Sequence, residues 1–183
     1  LIRSMIRRDG NSPSVIMWAN GNEDGHNPEL DPYFKEADIQ KRPVVYCRHG
    51  REPVDNIITD HYEPYTGIQE IIEEEKIFVA TEIAHGLYDG GGGAGLEDRW
   101  ELMMDAPLTQ GIMIWTLLDE GIRRYYLGGR LDVSGNQAPD GLVGPYRERE
   151  GSFYTVRELF SPIHIEMREL PERFDGRIAD RPE

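Results

Sequence analysis

The sequence predicts an α/β fold, a partial (β/α)8 barrel of the TIM type built from about the last five β/α units, with the first strands missing. Three observations lead there. Short apolar runs alternate with helix-length segments, the pattern of parallel strands joined by crossover helices. The run Val15-Ile16-Met17-Trp18 is apolar on both faces, as a strand covered on both sides is. Five such strands fall within 183 residues, whereas a closed barrel needs eight and typically about 250 residues. Residues 1–165 are expected to form the C-terminal portion of the barrel domain. Residues 166–183 are expected to be a charged tail, disordered or opening a following domain.

Taken in order, Ile2 and Met5-Ile6 share one side of a short helix that stops at the breakers Asp9-Gly10-Asn11-Ser12-Pro13. The first strand follows, Val15 to Trp18, and ends in the loop Asn20-Gly21-Asn22-Glu23-Asp24-Gly25. Pro28-Glu29 opens a helix through about Asp38, with proline early and acids in its first turn. Val44 to Cys47 is a second strand, and Asn56 to Asp60 a third, followed by the aromatic loop His61-Tyr62-Glu63-Pro64-Tyr65. Thr66 is suited to cap a helix through Glu75, supported by Glu70. Ile77 to Glu82 is the fourth strand. The glycine-rich loop Gly90 to Gly95 leads into a helix from Leu96 to about Met104, and Gly111 to Thr116 is the fifth strand. A long irregular stretch, Gly128 to Glu150, precedes a last helix, Ser152 to Phe160.

The formal net charge is −14, which repels phosphate backbones and argues against nucleic acid and anionic membrane surfaces as partners. No apolar run reaches the roughly 18 to 20 residues of a membrane span. The single cysteine, Cys47, excludes an internal disulfide and reads as core packing in its strand. The chain opens on Leu1 in the middle of a basic amphipathic stretch, which suggests a fragment or processed piece.

Two glutamates, Glu23 and Glu82, follow apolar strands, the place where α/β barrels present their reacting groups. Two carboxylates facing one mouth are the minimum equipment for cleaving a glycosidic bond: one acid for the leaving oxygen, one nucleophile for the anomeric carbon. Glu82 is expected to be ionised and Glu23 to keep the proton, because two close carboxylates cannot both be charged cheaply. Trp18, near mid-strand, reads as core, and Trp115, at a strand end, is open to a ligand role. His26, His49 and His61 read as loop residues without metal-ligand spacing, and His164 as an ordinary strand residue. Glu73-Glu74-Glu75 reads as a solvated helix end.

The run Arg8-Asp9-Gly10-Asn11-Ser12-Pro13-Ser14, the apolar strand and Gly21-Asn22-Glu23 resemble the acid/base signature of glycoside hydrolase family 2. Thr81-Glu82-Ile83-Ala84-His85 resembles the nucleophile segment of its β-galactosidase branch, with Ile83 where that pattern has tyrosine. Gln110 to Trp115 with Asp119-Glu120-Gly121 resembles the final barrel strand and loop. Gly141-Leu142-Val143 and Ser161-Pro162-Ile163 match the place where the barrel ends. The resemblance implies a retaining glycoside hydrolase acting on terminal β-glycosidic, above all β-galactosidic, bonds. It implies Glu23 as acid/base and Glu82 as nucleophile, Asn22 at the sugar 2-hydroxyl, Tyr62 bonded to the nucleophile, and His85 and Trp115 lining the sugar subsite. It implies no required cofactor; a magnesium ion can touch the acid/base glutamate in the family, with other ligands from strands absent here. The expected partner is a carbohydrate substrate, beside a missing N-terminal half-barrel and flanking β-sandwich domains; a homo-oligomer is left open.

Two other readings compete. Gly90 to Gly95 satisfies G-x-G-x-x-G before a helix, but it does not turn directly off the preceding strand as a dinucleotide fingerprint does. The other is a catalytic sequence without turnover, since a chain lacking the first strands leaves an open sheet edge and an incomplete pocket.

Overall fold

The computed structural model describes residues 1–47, 53–85, 93, 95–132 and 140–164. In chain order the elements are α1 (Ile2–Asp9), β1 (Trp18–Asn22), α2 (Asp31–Ala37), β2 (Val44–Cys47), β3 (Ile57–His61), α3 (Tyr65–Glu73), β4 (Ile77–Ile83), α4 (Leu96–Asp105), β5 (Thr109–Ile114), β6 (Ile122–Arg124), β7 (Arg130–Asp132) and α5 (Gly151–Leu159). The fold is α/β with parallel strands: β1 pairs parallel with β2, and β3, β4 and β5 form a parallel sheet in that order. Thr59 Oγ1 of β3 donates to Tyr46 O of β2 at 2.7 Å, tying the two ladders.

Alternation along the strands divides the side chains between two faces. Helices cover one of them. There Ile6, Trp18, Phe34 and Val44 pack α1 and α2 on the first ladder. Ile58, Ile68, Ile71, Phe78, Ala80 and Met103 do the same for α3 and α4 on the second, and Ile83, Ala84, Leu96, Leu142 and Val156 extend that layer to α5. On the other face Val45, Ile57 and Val79 meet, with Met17 and Ile77 against them.

Several boundaries differ from the sequence reading for local reasons. β1 starts at Trp18 rather than Val15, where Trp18 N donates to Pro43 O at 2.9 Å; Pro43 has no N–H to extend the ladder backwards. Pro64, with φ −67°, precedes α3, so Thr66 lies inside the first turn and does not cap it. The stretch read as irregular contains β7, which closes an antiparallel hairpin with β6. His164 follows a turn at Pro162, in which Ser161 Oγ receives Ile163 N at 3.3 Å, and is not in a strand. Trp18 is core, 5% exposed, and Cys47 is only half-buried at the end of β2. The tail beyond residue 164, His49 and most of the Gly90–Gly95 loop lie outside the described residues.

Beneath β1 a buried polar knot fixes the chain entering β2. Asp38 accepts from Trp18 Nε1 (3.0 Å), Arg42 N (3.0 Å), Arg42 Nη1 (3.1 Å) and Gln40 N (3.2 Å). Burial works against its charge, but the bonds from Trp18, Arg42 and Gln40 and the Arg42 guanidinium prevail, so its pKa lies below the ordinary carboxylate range. Arg42 Nη2 continues the knot to Gly10 O at 2.8 Å.

Candidate active site

The carboxyl ends of β1, β3 and β4 gather the titratable groups, and two irregularities in strand register aim them. Asp60 pairs with Ala80, but His61 pairs with Glu82, so β4 carries one extra residue at Thr81. Alternation without that bulge would turn Glu82 toward the helices. With it, Glu82 shares the inner face with His61, whose parity follows Ile57. A second shift, between Ala19 and Asn22, brings Asn22 opposite Cys47. Gly21 makes this one possible: its φ is +92°, and a Cβ there would meet Gly25 O at 2.7 Å.

Glu23, Tyr62 and Ala84, each just beyond a strand or at its bulged end, hold φ of +47°, +56° and +70°. Such left-handed conformations are uncommon outside glycine and cluster at functional sites. Here they turn the chain sharply at the mouth.

The result is a compact constellation. Single donor atoms of Glu23, His61 and Glu82 lie within 4.8 Å of one another. His61 Nδ1 is 3.3 Å from Glu82 Oε2 and 3.6 Å from Glu23 Oε1, with the His61 side chain fully buried, Glu82 13% exposed and Glu23 49% exposed. Tyr62 Oη donates to Glu82 Oε2 at 2.5 Å, and Tyr62 N donates to Glu82 O at 2.9 Å. Burial pushes the Tyr62 phenol well above its ordinary pKa, and the bond to Glu82 and the charges of Glu82, Glu23 and Asp140 push it further. It therefore remains a neutral donor. Burial also raises the Cys47 thiol, against a bond from Thr81 and with the Glu82 charge adding to it.

A second group stands beside the first. Asp140 Oδ2 accepts from Trp115 Nε1 at 3.0 Å and lies 3.3 Å from His85 Nε2. The His85 ring meets Tyr62 edge-on, with centroids 5.3 Å apart. Gly141 lets the Asp140 segment reach the strand-β5 loop: a Cβ there would sit 2.4 Å from Asp119 N. The described residues thus bring together Glu23, Glu82, Tyr62, His85 and Trp115. Asn22 is exposed at the end of β1, one residue before Glu23. Ile83 is 2% exposed and packs toward Leu142 and Val156, so the departure from the family pattern lies in the helix-facing core.

Two residues escaped the sequence reading. His61 ends β3 rather than sitting in a loop, and the strand-end argument applied to the glutamates would have found it. Asp140 stands 25 residues from Trp115 in the chain, and no local signal marks it. A magnesium ion fits the described donors poorly. Magnesium asks for near-octahedral oxygen with several waters, whereas the donors beside Glu23 are an imidazole nitrogen and the other glutamate.

Comparison with known proteins bears on the family and the fold. Residues 1–135 match the family model described as glycosyl hydrolases family 2, TIM barrel domain. A β-galactosidase of Aeromonas hydrophila subsp. hydrophila is 26% identical over 92% of this chain and 19% of its own length. A β-galactosidase of Alteromonas mediterranea is 30% identical over 66% of this chain and 13% of its own. The chain therefore spans less than a fifth of these relatives. Among solved structures, a family 2 β-galacturonidase from Eisenbergiella tayi bound to galacturonate superposes with TM-score 0.64 at 19% identity, covering 86% of this chain and 35% of that one.

Proposed function

The chain belongs to glycosyl hydrolase family 2, and we propose that it carries both catalytic glutamates of a retaining β-glycosidase within the last five β/α units of a (β/α)8 barrel. One observation supports this above all: Glu23 and Glu82 bring carboxylate oxygens within 4.8 Å of each other. Retaining enzymes hold their carboxyl groups about 5 to 5.5 Å apart; inverting enzymes need about 6.5 to 9.5 Å to admit a water.

In the first step Glu82 attacks the anomeric carbon and forms a glycosyl ester, while Glu23 gives its proton to the departing oxygen. In the second, Glu23 takes a proton from water, and that water displaces Glu82 to release the sugar with its configuration retained. Tyr62 holds Glu82 through Oε2 and fixes the carboxylate plane. Asn22 is assigned to the sugar 2-hydroxyl, and His85 and Trp115 to the ring, both steadied by Asp140. No step needs a cofactor.

The substrate proposed is a neutral terminal β-galactoside. Glu82 and Asp140 place two carboxylates beside the protonated Glu23 at one mouth, and their field disfavours an anionic uronate. The test is a panel of nitrophenyl β-glycosides on the full-length protein. The β-galactoside should turn over fastest with retention, and Glu82→Gln should fall by at least about 1,000-fold, the range for loss of an essential nucleophile. A faster β-uronide, or a Glu82→Gln enzyme near wild-type rate, would overturn the proposal.

A second reading concerns the 183-residue segment by itself. Among the described residues β1 pairs only with β2, which leaves a strand edge open for association. The segment expressed alone is expected to self-associate and show no turnover; a monomer with the full-length rate would refute this.

A further inference from the structure

We propose that Glu23, His61 and Glu82 form a binding site for a divalent transition-metal ion of the zinc class, which sits where the sugar would sit and shuts the pocket. The site stands on geometry and charge; only its effect on turnover rests on the glycosidase reading.

Geometry comes first. Three atoms mutually within 4.8 Å share a point no farther than about 2.8 Å from any of them, close to the roughly 2.0 to 2.2 Å of zinc–nitrogen and zinc–oxygen bonds. Two of the three edges already fit. In a tetrahedral zinc site with such bonds the ligand atoms are about 3.4 Å apart, and His61 Nδ1 stands 3.3 Å from Glu82 Oε2 and 3.6 Å from Glu23 Oε1. The third edge, between Glu23 and Glu82, is within 4.8 Å and closes by a turn of the half-exposed Glu23 carboxylate. The buried imidazole and the Glu82 carboxylate, held by Tyr62 at 2.5 Å, supply the preformed part.

Charge points the same way. Two carboxylates this close repel each other, and a dication with one neutral imidazole cancels their charge. The net charge of −14 raises the local concentration of cations. Donor chemistry selects among them: an imidazole nitrogen with two carboxylate oxygens suits zinc, cobalt or nickel and disfavours magnesium. Two of the three groups that hold the metal, Glu23 and Glu82, would carry the reaction, so metal and sugar exclude each other.

Cobalt(II) serves as the probe, because its visible bands report tetrahedral binding without any turnover. Titrated into the full-length protein, it should give those bands; zinc should erase them and magnesium should not. Galactose should compete. Glu23→Gln, a change at a half-exposed side chain, and His61→Ala should each weaken cobalt binding at least tenfold, and zinc should inhibit turnover competitively with substrate and reversibly with chelator. A wild-type protein with no tetrahedral bands at millimolar cobalt, or bands unchanged in both variants, would overturn the proposal. Bands without turnover of any glycoside would leave the metal site standing and sink the glycosidase reading instead.

Discussion

Replacing Tyr62 by phenylalanine removes one oxygen and tests the central contact directly. The phenol donates to Glu82 Oε2 at 2.5 Å, in the short range of charge-assisted hydrogen bonds. Glu82 is only 13% exposed, so water screens the bond little. A hydrogen bond to a charged group is worth about 1.5 to 3 kcal/mol, which at 1.36 kcal/mol per decade is about 10- to 150-fold in rate. The rest of the Tyr62 scaffold survives the change, since its backbone bond to Glu82 O and its edge contact with His85 do not use the hydroxyl. The expected result is therefore a drop of that size in kcat/KM on a nitrophenyl β-galactoside, with an unchanged far-ultraviolet dichroism spectrum. The raised phenol pKa adds a sign. Below the ordinary tyrosine value of about 10 the folded and unfolded forms are both protonated, and the bond contributes fully; above it only the unfolded form ionises, and that contribution is lost as pH rises. A Tyr62→Phe enzyme within twofold of wild type would show that the nucleophile does not depend on this bond.

Two further perturbations reach other parts of the molecule. Asp38→Ala strands the Arg42 guanidinium, 6% exposed, without its partner; breaking a buried pair costs about 3 to 5 kcal/mol, to be read as a lower denaturant midpoint. Because the folded pKa of Asp38 is lowered, its contribution is present above the ordinary carboxylate value and disappears as pH falls through the lower folded one, so wild type and Asp38→Asn should converge in stability in strong acid. A constant difference down to that pH would contradict the assignment. Asp140→Ala frees Trp115 Nε1 and His85 together. With one hydrogen bond worth about 1 kcal/mol, KM is expected to rise about five- to tenfold with kcat changed less than threefold, and an equal fall in kcat would place Asp140 in the transition state rather than in substrate positioning.

The parallel architecture was legible because its signals are local. Apolar runs such as Val44 to Cys47 and Ile77 to Glu82 announce strands wherever they sit, and Glu23 and Glu82 mark their carboxyl ends. The helix boundaries of α4 and α5 were legible to within a residue for the same reason, whereas α2 begins at Asp31, because Pro28 opens a separate 3-10 turn that ends at Leu30. β1 was misplaced because an apolar stretch becomes a strand only where a neighbour can pair with it, and Pro43 sets that limit.

What the sequence alone determined is which side chains are available and roughly where along each strand they stand: two glutamates, a tyrosine, a histidine and a tryptophan at segment ends. Tertiary structure decided which of them meet. The extra residue at Thr81 turns Glu82 inward toward His61, and the fold carries Asp140 across 25 residues to Trp115. The physical reason is that facing in a strand alternates with every residue, so one bulge reverses it, and a bulge is a property of two paired strands that neither strand contains by itself.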